Sequence, residues 1–336
     1  MSETMTAHRT LADLIDEVDG RIACLAMSKD PDAKVTVMFF PPGQKLPGYV
    51  AKVPTTDVAS RSVEREAGVL AEIARADLGP LRPTVPQIVM TAVHTGWPVL
   101  VTSALPGQAM LARYHRWRHT ARPAAVTADF SAAASWLSDL QHRTASGRVG
   151  LESMLEGVAA AIMTRFGDLP DVASDLANVA ELERRLAQHR IPATVVHGDY
   201  WPGNLLVEGR TVAGVIDWEF GRLAGPPTRD LARFVIGYSL YLDRHTSAGR
   251  KVAGHPGLQA GQWGAGLEYA ADGRGWYPDV ARGHIQQGLT RLGIPPSCWR
   301  DVLLAELAAT TAEADHPGFA EESLLLFRRM CRRGPQ

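Results

Sequence analysis

The stretch Thr194 to Phe220 reads TVVHGDYWPGNLLVEGRTVAGVIDWEF. It opens on a β-branched run, Thr194-Val195-Val196, of the kind that makes a buried strand. The strand ends in a polar corner, His197-Gly198-Asp199. Two more strand-like runs, Leu205 to Val207 and Val212 to Ile216, flank Glu208-Gly209-Arg210, which reads as a hairpin turn. Asn204 enters the first strand of that hairpin and Asp217 leaves the second. Both lie at the end away from the turn, so two oxygen ligands and the Asp199 corner are expected to converge.

Phosphoryl transfer needs such a set: a carboxylate beside the attacking hydroxyl, and oxygen ligands for the magnesium that bridges nucleotide phosphates. On this reading Asp199 is the base, and Asn204 and Asp217 are the metal ligands. Each feature alone has a plainer explanation, since a His-Gly-Asp corner is commonly a turn whose Asp caps an amide. Their order and spacing favour the chemistry. His197 to Asn204 (HGDYWPGN) and Ile216 to Glu219 (IDWE) resemble the aminoglycoside phosphotransferase and choline kinase family, distant relatives of the protein kinases. The match is a His-Gly-Asp, an Asn five residues after the Asp, and an apolar strand ending in Asp.

The resemblance implies a kinase-like α+β fold: a small antiparallel-sheet lobe over residues 1–106, with a hinge near 103–106, and a larger, mainly helical lobe over 107–336. Strands are expected at Arg21 to Met27, Val35 to Phe39 and Tyr49 to Val53, and again at Gln87 to Val93 and Pro98 to Ala104. A helix spanning Leu11 to Val18 precedes them, and another covers Arg61 to Ala76. In the family, a lysine of the third strand reaches the nucleotide phosphates and is held by a Glu on the next helix. Lys52 matches the lysine. Glu66 shares the inward face with Val63, Leu70 and Ile73, whereas Glu64 lies with Gly68, Glu72 and Arg75, so Glu66 is the expected partner.

The loop Ser28 to Lys34, where kinases cover the phosphates, contains no glycine. This departs from the many kinases in which glycine lets backbone amides approach phosphate. Ser28, Lys29 and Lys34 are the candidates left for that contact, and a solvated turn is the alternative. By the resemblance, backbone groups from Ser103 to Leu105 bind the nucleotide base, ATP or GTP, and Asp230 braces the catalytic loop. His142, in a family-like Leu-x-His helix ending, reads as structural. Glu219 and Arg222 stand near enough to the metal ligand for phosphate or substrate contacts.

Helices are further expected at Thr127 to His142, Leu151 to Phe166, Val172 to Arg190, Pro278 to Leu292, Pro296 to Ala314 and Phe319 to Arg333. His245 to Tyr277 is rich in glycine and aromatics and poor in regular pattern, the texture of a lid or else of a disordered insertion. Trp263 and Trp276 there are candidate substrate-stacking residues.

The chain has 336 residues and a net charge of −1, which gives no argument for nucleic acid or an anionic membrane as partner. No apolar run reaches spanning length, and MSETMTAHRT lacks a secretory pattern. Cys24, Cys298 and Cys331 form no C-x-x-C pair and fit free thiols in a reducing cytoplasm. The arginines at 328, 329, 332 and 333 suit a helix C-terminus. A metallophosphatase would need clustered histidines that the sequence does not offer. The expected partners are a nucleoside triphosphate and a hydroxylated small molecule. After Asp243, acids and bases nearly balance, which points to a neutral or mixed-charge antibiotic (nucleoside or macrolide) over a polycationic aminoglycoside. The alternatives are a kinase of a sugar, choline or amino alcohol, and a catalytically dead kinase-like binder.

Overall fold

The computed structural model describes residues 21–27 and 31–333. The helix expected over Leu11 to Val18, and Ser28 and Lys29, lie outside them. Five antiparallel strands come first: β1 (Ile22–Met27), β2 (Lys34–Phe39), β3 (Tyr49–Pro54), β4 (Ile88–His94) and β5 (Trp97–Ser103), in the spatial order β1-β2-β3-β5-β4. Strand alternation divides β3 between two faces. Ala51 is buried with Phe39, Met90, Val99 and Val101 in a small separate core. Lys52 turns the other way, toward helix α1 (Asp57–Ile73). That helix begins earlier than apolar periodicity predicts because Thr56 caps it, accepting from the Ala59 N–H at 3.2 Å, with Asp57 in the first turn. Its inward face carries Ala59, Ser62, Val63, Glu66, Leu70 and Ile73.

After β6 (Gln108–Ala109) and α2 (Met110–Tyr114), the chain is mainly helical. The long α3 (Pro123–Thr144) starts on a proline, whose missing N–H costs nothing at a helix start. It leads to β7 (Ser146–Gly150), α4 (Val158–Phe166) and α5 (Val172–Leu186). The deciding stretch then supplies β8 (Arg190–Val196), β9 (Leu205–Glu208) and β10 (Thr211–Val215), followed by β11 (Arg222–Gly225). Two three-stranded sheets hold it, β10-β9-β6 and β11-β8-β7. The hairpin turns at Gly209, whose φ of 56° suits glycine. Helices α6 (Thr228–Ser239), α7 (Ala265–Asp272), α8 (Trp276–Arg291), α9 (Trp299–Glu313) and α10 (Pro317–Arg332) complete the chain, with a short β12 (Lys251–Val252) and β13 (His255–Gln259) hairpin before α7. None of the described helices is long and apolar enough to cross a membrane.

Three expectations are corrected. The helix predicted over Leu151 to Phe166 is a 3-10 turn, Leu151–Leu155, and then α4, separated at Gly157 with φ 75°. The helix predicted to reach Arg190 stops at Leu186, and Arg190 already belongs to β8, where Ile191 and Ala193 need to reach the core. Third, His245 to Tyr277 is not irregular. It forms the β12–β13 hairpin and α7, and Leu258, Leu267 and Tyr277 are buried. Most of its glycines serve tight packing: a Cβ on Gly266 would lie 2.1 Å from the Ser239 carbonyl oxygen.

The main core runs continuously from α1 to α10 and includes Trp218, Tyr200, Tyr238 and Phe234 around the central stretch. Burying each of these aromatics stabilises the fold by roughly 3 kcal/mol. The C-terminal arginines are ion-paired: Arg328 with Asp175 at 2.6 Å, Arg329 with Glu268 at 2.7 Å, Arg332 with Asp171 at 3.2 Å and Arg333 with Glu268 at 3.1 Å.

Candidate active site

The site is built from the corner that follows β8. Gly198 has φ 82°, and a Cβ on it would meet the Phe220 carbonyl oxygen at 2.3 Å, so only glycine fits. Asp230, in the first turn of α6, accepts from the His197 N–H at 2.8 Å and the Gly198 N–H at 2.9 Å. Burial pushes its carboxyl up, against the opposing pull of His197 and those amides. His197 is buried; its Nε2 donates to the Ile216 carbonyl at 2.8 Å, which leaves Nδ1 to accept the Asp199 N–H at 3.2 Å. One imidazole thus ties the Asp199 corner to Ile216, which stands between β10 and Asp217. This is a positive role for a residue whose chemistry the sequence left unassigned.

Asp199 and Asn204 come together. The Asn204 Nδ2 donates to Asp199 Oδ2 at 2.9 Å and to its backbone carbonyl at 3.0 Å, which turns the amide oxygen away. The Ile216 N–H donates to the Asn204 carbonyl at 3.0 Å, so the two ends of the hairpin are joined next to Asp217. Asp217 has φ 64°, a left-handed conformation uncommon for a non-glycine residue.

Lys52 stands between two acids, 2.5 Å from Glu66 Oε2 and 2.5 Å from Asp217 Oδ1. Burial alone would lower the ammonium; Asp217 and Glu66 outweigh it and hold Lys52 well above the usual lysine range. Burial raises Glu66 in spite of Lys52, while Lys52 outweighs burial at Asp217 and lowers it. Glu66 also accepts from the Trp218 N–H at 3.4 Å through its other oxygen. Glu66 is the acid that meets Lys52, whereas Glu64 is exposed. A second link lies beside it: Lys34 and Ser62 both donate to Glu219 Oε2.

The model of the phosphotransferase enzyme family (APH) matches residues 42–264, more than half of the 336. The chain belongs to that family. The phosphotransferase is similar in fold to a thermostable mutant of aminoglycoside phosphotransferase APH(4)-Ia solved with ADP and hygromycin B, at 13% identity and a TM-score of 0.58, over 96% of this chain and 98% of that one. It is also similar to APH(2")-IIa solved with streptomycin and ATP, at 13% identity and a TM-score of 0.52, over 95% and 94% of the two chains. No curated protein sequence matches it. The kinase-like α+β architecture expected from the sequence is therefore the fold of this phosphotransferase.

A cavity of about 170 Å³ opens beside Asp199, lined also by Trp201, Arg233, Tyr241 and Phe319. Arg233 was not singled out in the sequence. It donates to Asp199 Oδ1 from Nε at 2.9 Å and from Nη2 at 2.6 Å. A signal for it existed: Arg233 follows Asp230 at i, i+3 on α6, so it faces the same corner. Trp263 and Trp276 do not line this cavity. Trp263 packs edge-on against Phe319, with ring centroids 5.5 Å apart, and so stands behind its wall. Trp276 instead donates to the Gly254 carbonyl at 3.0 Å.

At the expected hinge, the Ser103 N–H bonds the Gln87 carbonyl at 2.8 Å and the Ala104 N–H bonds Gly48 at 2.9 Å. His142, expected to be structural, is exposed; its neighbour Gln141 is the buried one, donating to Pro227 at 3.1 Å and accepting from Arg291 at 2.8 Å.

Proposed function

We propose that this phosphotransferase moves the γ-phosphoryl group of ATP or GTP to a hydroxyl of a small molecule, an antibiotic of the nucleoside, macrolide or aminoglycoside type, as a step of resistance or self-protection. The observation that carries this reading is the convergence of a linked pair, Asp199 with Asn204, and a linked trio, Asp217 with Lys52 and Glu66. The neighbours solved with ADP or ATP support a nucleotide as donor.

In this reading the nucleotide sits between residues 1–106 and 107–336, its base against the backbone from Ser103 to Leu105. Lys52, held by Glu66, grips the α- and β-phosphates. Asp199 accepts the hydrogen bond of the attacking hydroxyl and takes its proton as the new O–P bond forms and the bond to the nucleoside diphosphate breaks. The donor set suits magnesium: a carboxylate at Asp217 and the amide oxygen of Asn204 turned away from Asp199 are hard oxygen ligands, and phosphates complete such sites. When bound, that ion neutralises charge on the β- and γ-phosphates.

Arg233 is paired with Asp199 on the wall of this cavity, so the lining carries no surplus of acids to draw a polycation, which favours a nucleoside or a macrolide as acceptor. The test is release of ADP or GDP by the purified protein with magnesium and a panel of nucleoside, macrolide and aminoglycoside antibiotics. Magnesium-dependent turnover with one of them is expected. Failure to bind or consume either nucleotide overturns the reading.

A further inference from the structure

We propose that Arg233 is a positioning residue for the transfer, which fixes the one place on Asp199 where the acceptor hydroxyl can bind. The inference rests on the phosphotransferase reading and adds a group that none of the sequence motifs contains.

A carboxylate offers about four lone-pair positions, two on each oxygen. On Asp199 Oδ1, two are taken by the Arg233 Nε and Nη2, at 2.9 and 2.6 Å. On Oδ2, Asn204 Nδ2 takes one, at 2.9 Å. Among the described residues nothing takes the remaining position, on Oδ2. The terminal torsion of an aspartate is soft and roughly two-fold, so an unrestrained carboxylate would present either oxygen. Here it is held at both ends.

Arg233 is itself anchored. Its Nη1 donates to Thr310 Oγ1 on α9 at 2.6 Å, and that hydroxyl donates to the Glu306 carbonyl at 2.8 Å. Arg233 also lines the cavity that Asp199, Trp201, Tyr241 and Phe319 share. In the proposal, a hydroxyl that enters this cavity binds Asp199 at the position left on Oδ2. The guanidinium matters because two of its N–H groups converge on Oδ1 and fill both positions there while Asn204 holds Oδ2, whereas a single ammonium is a point charge without that fixed pair of donors.

The experiment is steady-state nucleotide turnover in Arg233→Met, Arg233→Lys, Asp199→Asn and the double variant Asp199→Asn/Arg233→Met. Arg233→Met should lower kcat about ten- to a hundred-fold, the penalty of a misplaced catalytic group. The KM for nucleotide should stay within about two-fold, and Arg233→Lys should recover part of the loss. In the Asp199→Asn background, Arg233→Met should change kcat by less than about two-fold, because the group it positions is gone. Wild-type kcat in Arg233→Met, or an equal loss in both backgrounds, overturns the inference while the phosphotransferase reading stands. Wild-type protein that consumes no nucleotide overturns that reading and the inference with it. Urea midpoints of the same four proteins give a second check that needs no activity: destabilisations that add strictly would show that the two side chains do not interact, and the inference would fall.

Discussion

The supports of Asp199, the proposed base, are local in sequence on one side and remote on the other. Asp199→Asn should keep the fold and the nucleotide affinity and lose turnover on the order of a hundred-fold or more, since an amide cannot take the proton. Near wild-type turnover in the purified variant would remove Asp199 from its role. Asp217→Ala should abolish magnesium-dependent turnover, whereas Asn204→Ala should weaken it and raise the magnesium requirement, because a carboxylate neutralises more charge than an amide. Equal small effects, read from magnesium titrations of both variants, would sink the metal assignment. These residues were legible because each sits at a fixed spacing in one short stretch, and Glu66 because helical periodicity tells its face from that of Glu64. Arg233 and the Lys34–Glu219 pair were not, since their partners lie far away in sequence and only the packing of α6 and α1 brings them in.

Helix α9 carries the least expected element of the site. Glu306 is buried next to Arg229, 3.4 Å away, and neither of its carboxylate oxygens has a hydrogen-bond partner among the described residues. Burial pushes its carboxyl up to about 8, against the pull of Arg229 and Arg233. A folded-state value above the unfolded one means that the native state binds the extra proton. Its stabilising effect is complete below the ordinary glutamate range and is lost as pH rises toward 8. Glu306→Gln keeps the shape and removes the titration. Melting temperatures of the two proteins between about pH 5 and 9 should therefore diverge in favour of the variant as pH rises, with most of the change complete just above pH 8. Parallel curves would show that Glu306 does not titrate in that window. Apolar periodicity marked this helix but said nothing of Glu306, because a buried acid reads in sequence like any polar residue on a helix.

Across the whole molecule, the architecture was legible and its long connection was not. His245 to Tyr277 looked patternless because its hairpin strands are short and most of its glycines are packing contacts, which composition alone does not separate from hinges. The two tryptophans now part company. Trp263→Ala withdraws support from Phe319 at the cavity wall and should raise the acceptor KM severalfold, about 1 kcal/mol for a lost aromatic contact. Trp276→Ala should lower thermal stability and leave both KM values alone, since its ring stands beside His255 and its N–H reaches Gly254. Kinetics with both substrates varied, and a melt of each variant, will separate them; an acceptor KM that moves only in Trp276→Ala reverses the assignment.

The salt link between Lys52 and Asp217 has a consequence for the order of ligand capture. Without nucleotide, the ammonium already occupies the carboxylate that a divalent ion would use. An ion arriving alone has to displace a charge of its own sign, whereas triphosphate offers Lys52 somewhere else to go. Each ligand thus prepares the place of the other, and thermodynamic linkage makes the benefit mutual and equal. Calorimetric titration should find little affinity for magnesium in the empty protein. Nucleotide and magnesium should tighten each other by about ten-fold or more, and the Lys52→Met protein should lose much of that cooperativity. Independent binding of the two in the wild type would mean that the link yields too easily to matter.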